Sequence, residues 1–376
     1  MHETSIVIVG GGAAGLSTAG ALKQRGLSAV VLDKDECIGG TWARRYDRLR
    51  LHTLRRFSGL AHHPLPKSYP RYVPKDLFAQ YLQDYARHFE LDIRLRCNVE
   101  RISREHDAAG SPWIVESSGG PWRCKVVVIA SGQYSKPVMP SWPGVDTYRG
   151  RLLHSADYRS GREYAGKRTL VIGAGNSGTE IATDLVEQGA AAVAISVRTP
   201  PTVVPRDLLG IPVQLSGILL SALPPRWADR LGTNLSRLVI GDLSRYGLAA
   251  PGWHPFSARR IPTIDVGFVR ELKRGRVQIR PPVARFTPEG VVYDDGREES
   301  VDAVIAATGF TSGLKKLLDL PGLLDEHGYP LYSPGRPTPY PGLFFMGYTY
   351  SLRGHLYEVN CDSRRLAKII ARYLAG

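Results

Sequence analysis

Two glycine clusters set 163 residues apart carry the clearest chemical signal in this 376-residue chain. The first is Gly10, Gly12 and Gly15, with Ala13 and Ala14 between them. It comes after the apolar run Ile6-Val7-Ile8-Val9 and leads into a small-residue stretch that reads as a helix over 13–24. The second is Gly173, Gly175 and Gly178, enclosing Asn176 and Ser177, after an apolar run over 168–172. Between a strand and a helix, G-x-G-x-x-G suits a dinucleotide: a tight turn, close approach of a pyrophosphate, and close packing of helix on strand. The helix N-terminus adds free N–H groups and the positive end of its dipole. The residues downstream of the two clusters differ. A strand over 28–32 ends at Asp33, 18 residues after Gly15, with Lys34 next; a strand over 192–197 ends at Arg198, 20 residues after Gly178, with Thr199 next. A carboxylate accepts from a ribose hydroxyl, whereas a guanidinium pairs with a 2′-phosphate. The first loop is therefore expected to hold a cofactor without that phosphate, and the second to prefer NADPH over NADH. A solvated surface arginine is the other reading of Arg198.

Further positions suit a flat cofactor. Gly40, Thr41 and Trp42 fall in a loop just after the second strand. Ser131-Gly132 end a strand over 123–130, Thr308-Gly309-Phe310 end one over 303–307, and Gly347 ends a buried one over 343–347. The late strand, glycine and helix are expected to complete the first domain's site. Leu77, Phe78, Tyr81, Leu82 and Tyr85 recur at helical spacing over 75–89 and read as core. His62-His63 has no acid or thiol at ligand spacing, so no metal is expected. Residues 205–255 read as a helical insertion bounded by Pro and Gly. Its apolar stretches suit a helical hairpin, with a pocket cover or a peripheral membrane contact as alternatives.

The order implies an α/β protein of two Rossmann-like domains, the second inserted in the first. The expected boundaries are 1–160 and 291–376 for the first domain, and 161–290 for the second. A chain of this length supports two domains. A hydrophobic content of 43% and a charged content of 22% are those of a globular protein. Cys37, Cys97, Cys124 and Cys361 stand far apart, which argues against a disulfide framework, a zinc site or a dithiol centre and fits a reducing cytoplasm. The first strand begins the chain, so no signal peptide is expected. No stretch reaches the length of a membrane span; the most apolar, 211–223, is interrupted by Gln214 and Ser216. The net charge of +14 is spread without a long Lys/Arg block, which favours anionic dinucleotides over nucleic acid as partners. Oligomeric state is not legible.

Two such loops suggest a flavoprotein that uses two dinucleotides, and the residues between them narrow it. Tyr148-x-Gly150-x-x-x-His154 resembles the F-x-G-x-x-x-H signature of class B flavin-dependent monooxygenases, with Tyr for Phe, and Ala307-Thr308-Gly309-Phe310 resembles their A-T-G-[FY] motif. Within that family the chain is most similar to the plant YUCCA-type indole-3-pyruvate monooxygenases, through 41–52, 72–89, 173–180, 197–208 and 262–267. The resemblance extends over nearly the whole chain. It departs from the plant pattern after Gly347, in a region expected to border the substrate.

The resemblance implies FAD on Gly10–Gly15 with Asp33 at its ribose, NADPH on Gly173–Gly178 with Arg198 at its 2′-phosphate, and O2 as co-substrate. It implies a C4a-(hydro)peroxyflavin, protected from water, that oxidatively decarboxylates an α-keto acid such as indole-3-pyruvate. N- or S-oxygenation of a small soft nucleophile is the alternative, and a non-oxygenating NADPH oxidase or redox sensor a further one. Amine- and sulfide-oxidising members carry an asparagine about where His52 stands, and histidine there agrees with the YUCCA branch. His52 is the candidate for tuning that choice or positioning NADP⁺, against a structural histidine. Asn176 is a second catalytic candidate, able to reach flavin or nicotinamide from its loop. His154 reads as architectural. His355, Glu358 and Asn360 are possible pocket residues. Several arginines are available for a substrate carboxylate.

Overall fold

The computed structural model describes residues 1–106, 110–208 and 210–376. They form two compact units. The first comprises Met1–Arg44, Thr53–Lys136 and Phe310–Gly376; the second comprises Arg45–His52 and Pro137–Gly309.

In the first unit, Ile6–Val9 and Val126–Ile129 are wholly aliphatic and fully buried, the pattern of strands covered on both faces. They lie at the centre of a five-stranded parallel sheet ordered Leu343–Phe345, Val126–Ile129, Ile6–Val9, Val30–Leu32, Asp92–Arg94. Helix Ala13–Lys23 crosses from Ile6–Val9 to Val30–Leu32 and is buried from Ala14 to Leu22. Its small residues make that possible. Ser17 Oγ hydrogen-bonds Ser363 Oγ of the C-terminal helix His355–Ala375 at 2.8 Å, and a Cβ on Gly20 would lie 2.2 Å from the Tyr85 hydroxyl. Tyr85 belongs to helix Lys75–His88, which buries Phe78, Tyr81, Leu82 and Tyr85 as expected, with Leu77 half-buried. A second sheet, His2–Glu3, Trp122–Cys124, Trp113–Ser117, Val99–Arg104, packs Trp113 and Val115 into the same core as Val7 and Val127.

The second unit repeats the plan. Its parallel sheet is ordered Arg151–His154, Ala303–Ala306, Arg168–Ile172, Ala192–Ser196, Val277–Arg280. Helix Asn176–Glu187 covers it through Ile181, Ala182 and Leu185. An antiparallel meander, Val283–Thr287, Gly290–Tyr293, Glu298–Ser300, packs Phe286 and Val291 against Leu170 and Val304. Within the insertion are helices Val213–Leu220 and Pro225–Ile240.

The division differs from the expected 160 and 290. It falls at Lys136/Pro137 and Gly309/Phe310, and Arg45–His52 joins the second unit. The cause is strand pairing. Arg151–His154 and Ala303–Ala306 hydrogen-bond to each other, and Ala303–Ala306 to Arg168–Ile172, so both belong to the sheet of the second glycine loop's strand. Thr308 and Gly309 therefore lie in the second unit, not in the first as expected, while Phe310 begins the return to the first.

Candidate active site

The two loops are built alike. Gly10 has φ +107°, and a Cβ there would lie 2.5 Å from the Ala130 carbonyl oxygen; Gly173 has φ +107°, and a Cβ there would lie 2.5 Å from that of Ala307. A Cβ on Gly15 would fall 1.8 Å from Gly10 O, and one on Gly178 1.9 Å from Gly173 O. Only glycine closes these turns. The middle glycines are different: a Cβ on Gly12 or Gly175 would meet nothing within 4 Å among the described residues. No atom of the described residues demands glycine there, and the open backbone fits a pyrophosphate seated at the helix N-terminus, where Ala13-Ala14 and Asn176-Ser177 begin their helices.

In the first unit Asp33 Oδ2 accepts from Gly11 N–H at 2.6 Å, and its Oδ1 from Asp35 N–H at 2.9 Å. Burial raises the Asp33 pKa against those two lowering hydrogen bonds. Lys34 is exposed. Gly40, Thr41 and Trp42 form a short helix, Gly40–Ala43, where a loop is expected; Thr41 donates to Asp35 at 3.0 Å and Trp42 meets Phe78 edge-on. Ser131 hydrogen-bonds the Tyr348 hydroxyl at 2.9 Å, and Gly132 has φ +89°. Gly347, at φ +83°, passes so close to the first helix that a Cβ would lie 2.8 Å from that of Ala14. Thus Gly10–Gly15, Asp33, Ser131, Gly132 and Gly347 share the carboxyl edge of one sheet, where its strand order reverses. Glu358 is held by Arg353 at 2.8 and 2.9 Å, and Asn360 donates to Gly59 O at 2.7 Å. Burial lowers the pKa of His355.

In the second unit the strand registers identify equivalent positions. Gly10 N–H donates to Leu32 O at 2.8 Å, and Gly173 N–H to Ser196 O at 2.9 Å. The residue after that strand is Asp33 in one unit and Val197 in the other; the next is Lys34 in one and Arg198 in the other. Arg198 and Thr199 are exposed. Thr308 Oγ1 donates to Val138 O, and Gly309 O accepts from His154.

Asn176 is not free to reach a reacting atom. Its Nδ2 donates to Pro262 O at 3.1 Å and its Oδ1 accepts from Ile264 N–H at 2.8 Å, so its amide ties the loop to strand Thr263–Asp265. Both ring nitrogens of His154 are engaged within the second unit. The residue is 3% exposed, its Nδ1 accepts from Ala156 N–H and its Nε2 donates to Gly309 O, each at 3.1 Å, and burial lowers its pKa.

His52 has a partner that motif reading passed over. Its Nε2 lies 2.7 Å from Glu180 Oε1, on a carboxylate whose side chain is 2% exposed. Glu180 also receives the hydroxyl of buried Tyr46, whose pKa is raised by burial and then by that carboxylate. A signal existed: Glu180 falls two residues after Gly178, where the helix must pack on its strand, so an acid there requires a partner. His52 and Glu180 line a cleft of about 260 Å³ with Arg48, Arg50 and Arg206. Arg48 is positioned by Glu187 at 2.8 Å and Val266 O at 2.8 Å, and that pairing lowers the Glu187 pKa. Among the described residues, no group of three or more His, Cys, Asp or Glu is placed to hold a metal ion.

The flavin-binding monooxygenase-like family model matches residues 3–320. The indole-3-pyruvate monooxygenase YUCCA1 of Oryza sativa subsp. japonica is 34% identical over 379 residues, covering 97% of this chain and 90% of that protein. YUCCA6 of Arabidopsis thaliana, also an indole-3-pyruvate monooxygenase, is 35% identical over 381 residues, covering 98% and 90%. A flavin-containing monooxygenase from Stenotrophomonas maltophilia superposes over the whole of both chains, with TM-score 0.73 and 25% identity. A steroid monooxygenase bound to NADP shares the fold at TM-score 0.79 and 20% identity, covering 100% of this chain and 87% of that one.

Proposed function

Because the chain belongs to the flavin-binding monooxygenase-like family, we propose that it is an FAD- and NADPH-dependent monooxygenase whose substrate is an α-keto acid of the indole-3-pyruvate type. The observation that carries this reading is the similarity, over nearly its full length, to plant indole-3-pyruvate monooxygenases. The reaction balances as keto acid, O2, NADPH and a proton going to the acid one carbon shorter, carbon dioxide, NADP⁺ and water. FAD reduced by NADPH supplies the activation of oxygen.

The protein's own contributions are binding, orientation and proton placement. The first unit holds FAD across Gly10–Gly15, with Asp33 at the ribose and Ser131, Gly132 and Gly347 along the same sheet edge. The second holds NADPH across Gly173–Gly178, with Arg198 and Thr199 at the 2′-phosphate and Thr308-Gly309 beside the loop. Arg48, Arg50 and Arg206 are the cations that suit a substrate carboxylate. Glu180 keeps the His52 proton on Nε2 and leaves Nδ1 a buried acceptor with no partner among the described residues. The four cysteines are free thiols, which suits a reducing cytoplasm.

The test is product analysis with FAD-loaded enzyme, NADPH and O2. Indole-3-pyruvate is expected to release one carbon dioxide per NADPH oxidised and to yield the shortened acid. An oxide of an amine or sulfide, with the keto acid untouched, would assign the protein to N- or S-oxygenation. Hydrogen peroxide as the only product with every substrate would make it an oxidase.

A further inference from the structure

Helix Pro225–Ile240 of the insertion turns its apolar face to solvent. Trp227, Leu231, Leu235 and Leu238 are spaced to share one face. Leu238 keeps 82% of its surface exposed and Trp227 62%. The buried face is the other one, with Ala228, Asp229 and Ile240. Its seating is specific: the Asp229 carboxylate accepts from the N–H groups of Phe256 and Ser257, each at 2.9 Å. The apolar surface continues into the preceding helix, where Leu219 is 74% exposed, and no charged side chain occurs over 211–225.

Charge decides what covers this face. Arg226, Arg230 and Arg237 lie along one flank of the exposed stripe, and 211–262 carries six arginines against two aspartates, one of them the buried Asp229. A cleft of about 500 Å³ opens at the helix's first turn, between Pro224, Arg226, Trp227 and Ser257. A second copy of the chain would bring the same positive flank against its own in a two-fold contact. A dissolved anion would leave the leucines in water.

We propose that this face docks on an anionic phospholipid bilayer. Trp227, Leu231, Leu235 and Leu238 enter the acyl boundary and the flanking arginines meet the lipid phosphates. No helix of the described residues is long and apolar enough to cross a membrane, so the contact is peripheral. This inference is independent of the substrate.

The test is cosedimentation of the full, FAD-loaded chain with phosphatidylcholine vesicles, with and without phosphatidylglycerol. Binding is expected only with phosphatidylglycerol and is weakened by salt. The double variant Leu231→Ser/Leu238→Ser keeps the charge and is expected to weaken binding by about tenfold or more. Arg230→Gln/Arg237→Gln is expected to lose roughly fivefold per arginine. Both keep the NADPH oxidation rate measured without vesicles. Failure of the wild type to bind overturns the proposal. So does equal binding by the leucine variant, which would place the contact elsewhere on the basic surface. A wild-type dimer in sedimentation velocity that the leucine variant converts to monomer would assign the face to a second copy.

Discussion

Replacing Arg198 by alanine separates the two nicotinamide cofactors. The aligned registers put Val197 where the first loop has Asp33, and Arg198 one position beyond. The second loop thus lacks the carboxylate that in the first is bound to a loop N–H at 2.6 Å. A 2′-phosphate at Val197 meets no negative charge and finds a guanidinium one residue away. A hydrogen bond to a charged group contributes about 1.5–3 kcal/mol. Arg198 is exposed, which favours the lower end. About 1.5–2 kcal/mol corresponds to roughly 10–30-fold at 1.4 kcal/mol per decade. Arg198→Ala is therefore expected to lower kcat/KM for NADPH by that factor, to leave kcat/KM for NADH unchanged, and to leave the FAD content unchanged. Adding Val197→Asp supplies the ribose acceptor, repels the phosphate and shifts preference toward NADH. The assay is steady-state nicotinamide oxidation with each nucleotide, beside the flavin spectrum of the purified variant. Equal losses with both nucleotides would refute the reasoning, because they would assign Arg198 to pyrophosphate binding or folding. Unchanged NADPH kinetics would leave it a solvated surface residue.

The histidines give two further expected outcomes. Glu180→Ala leaves the His52 ring without its buried partner; nitrogen-resolved NMR of the protein without cofactors is expected to show the single Nε2–H tautomer of the wild type replaced by a mixture, and turnover to shift from oxygenated product to hydrogen peroxide by about tenfold or more. An unchanged tautomer would refute that role. Burial holds the His154 pKa below the ordinary 6.5, against the raising hydrogen bond to Gly309 O, so the unfolded chain binds more protons beneath that value. Stability is therefore present above about pH 6.5 and falls as pH drops through it toward the folded value; His154→Gln is expected to flatten that slope in urea titrations at successive pH, and an unchanged slope would refute the assignment.

What the sequence made legible is what backbone geometry demands. Gly10 and Gly173 repeat the same φ, and Gly15 and Gly178 nearly the same close approach, and no other residue satisfies them, so both loops and their strands are readable in one dimension. The unit boundaries are not readable, because they depend on which sheet a strand joins. Arg151–His154 and Ala303–Ala306 are ordinary strands whose membership appears only in their pairing across about 150 residues. Site chemistry divides in the same way. Asn176 looks like an available amide until Pro262 and Ile264 are brought against both its ends. Glu180 looks like one more helix acid until 128 residues of separation close to a 2.7 Å bond with His52. These two exchanges have one cause: a polar side chain in a buried turn must be satisfied, and its partner comes from whichever segment the fold delivers. The same rule read forward is useful. A buried carboxylate beside a glycine loop predicts a distant donor, and in this chain that donor is His52.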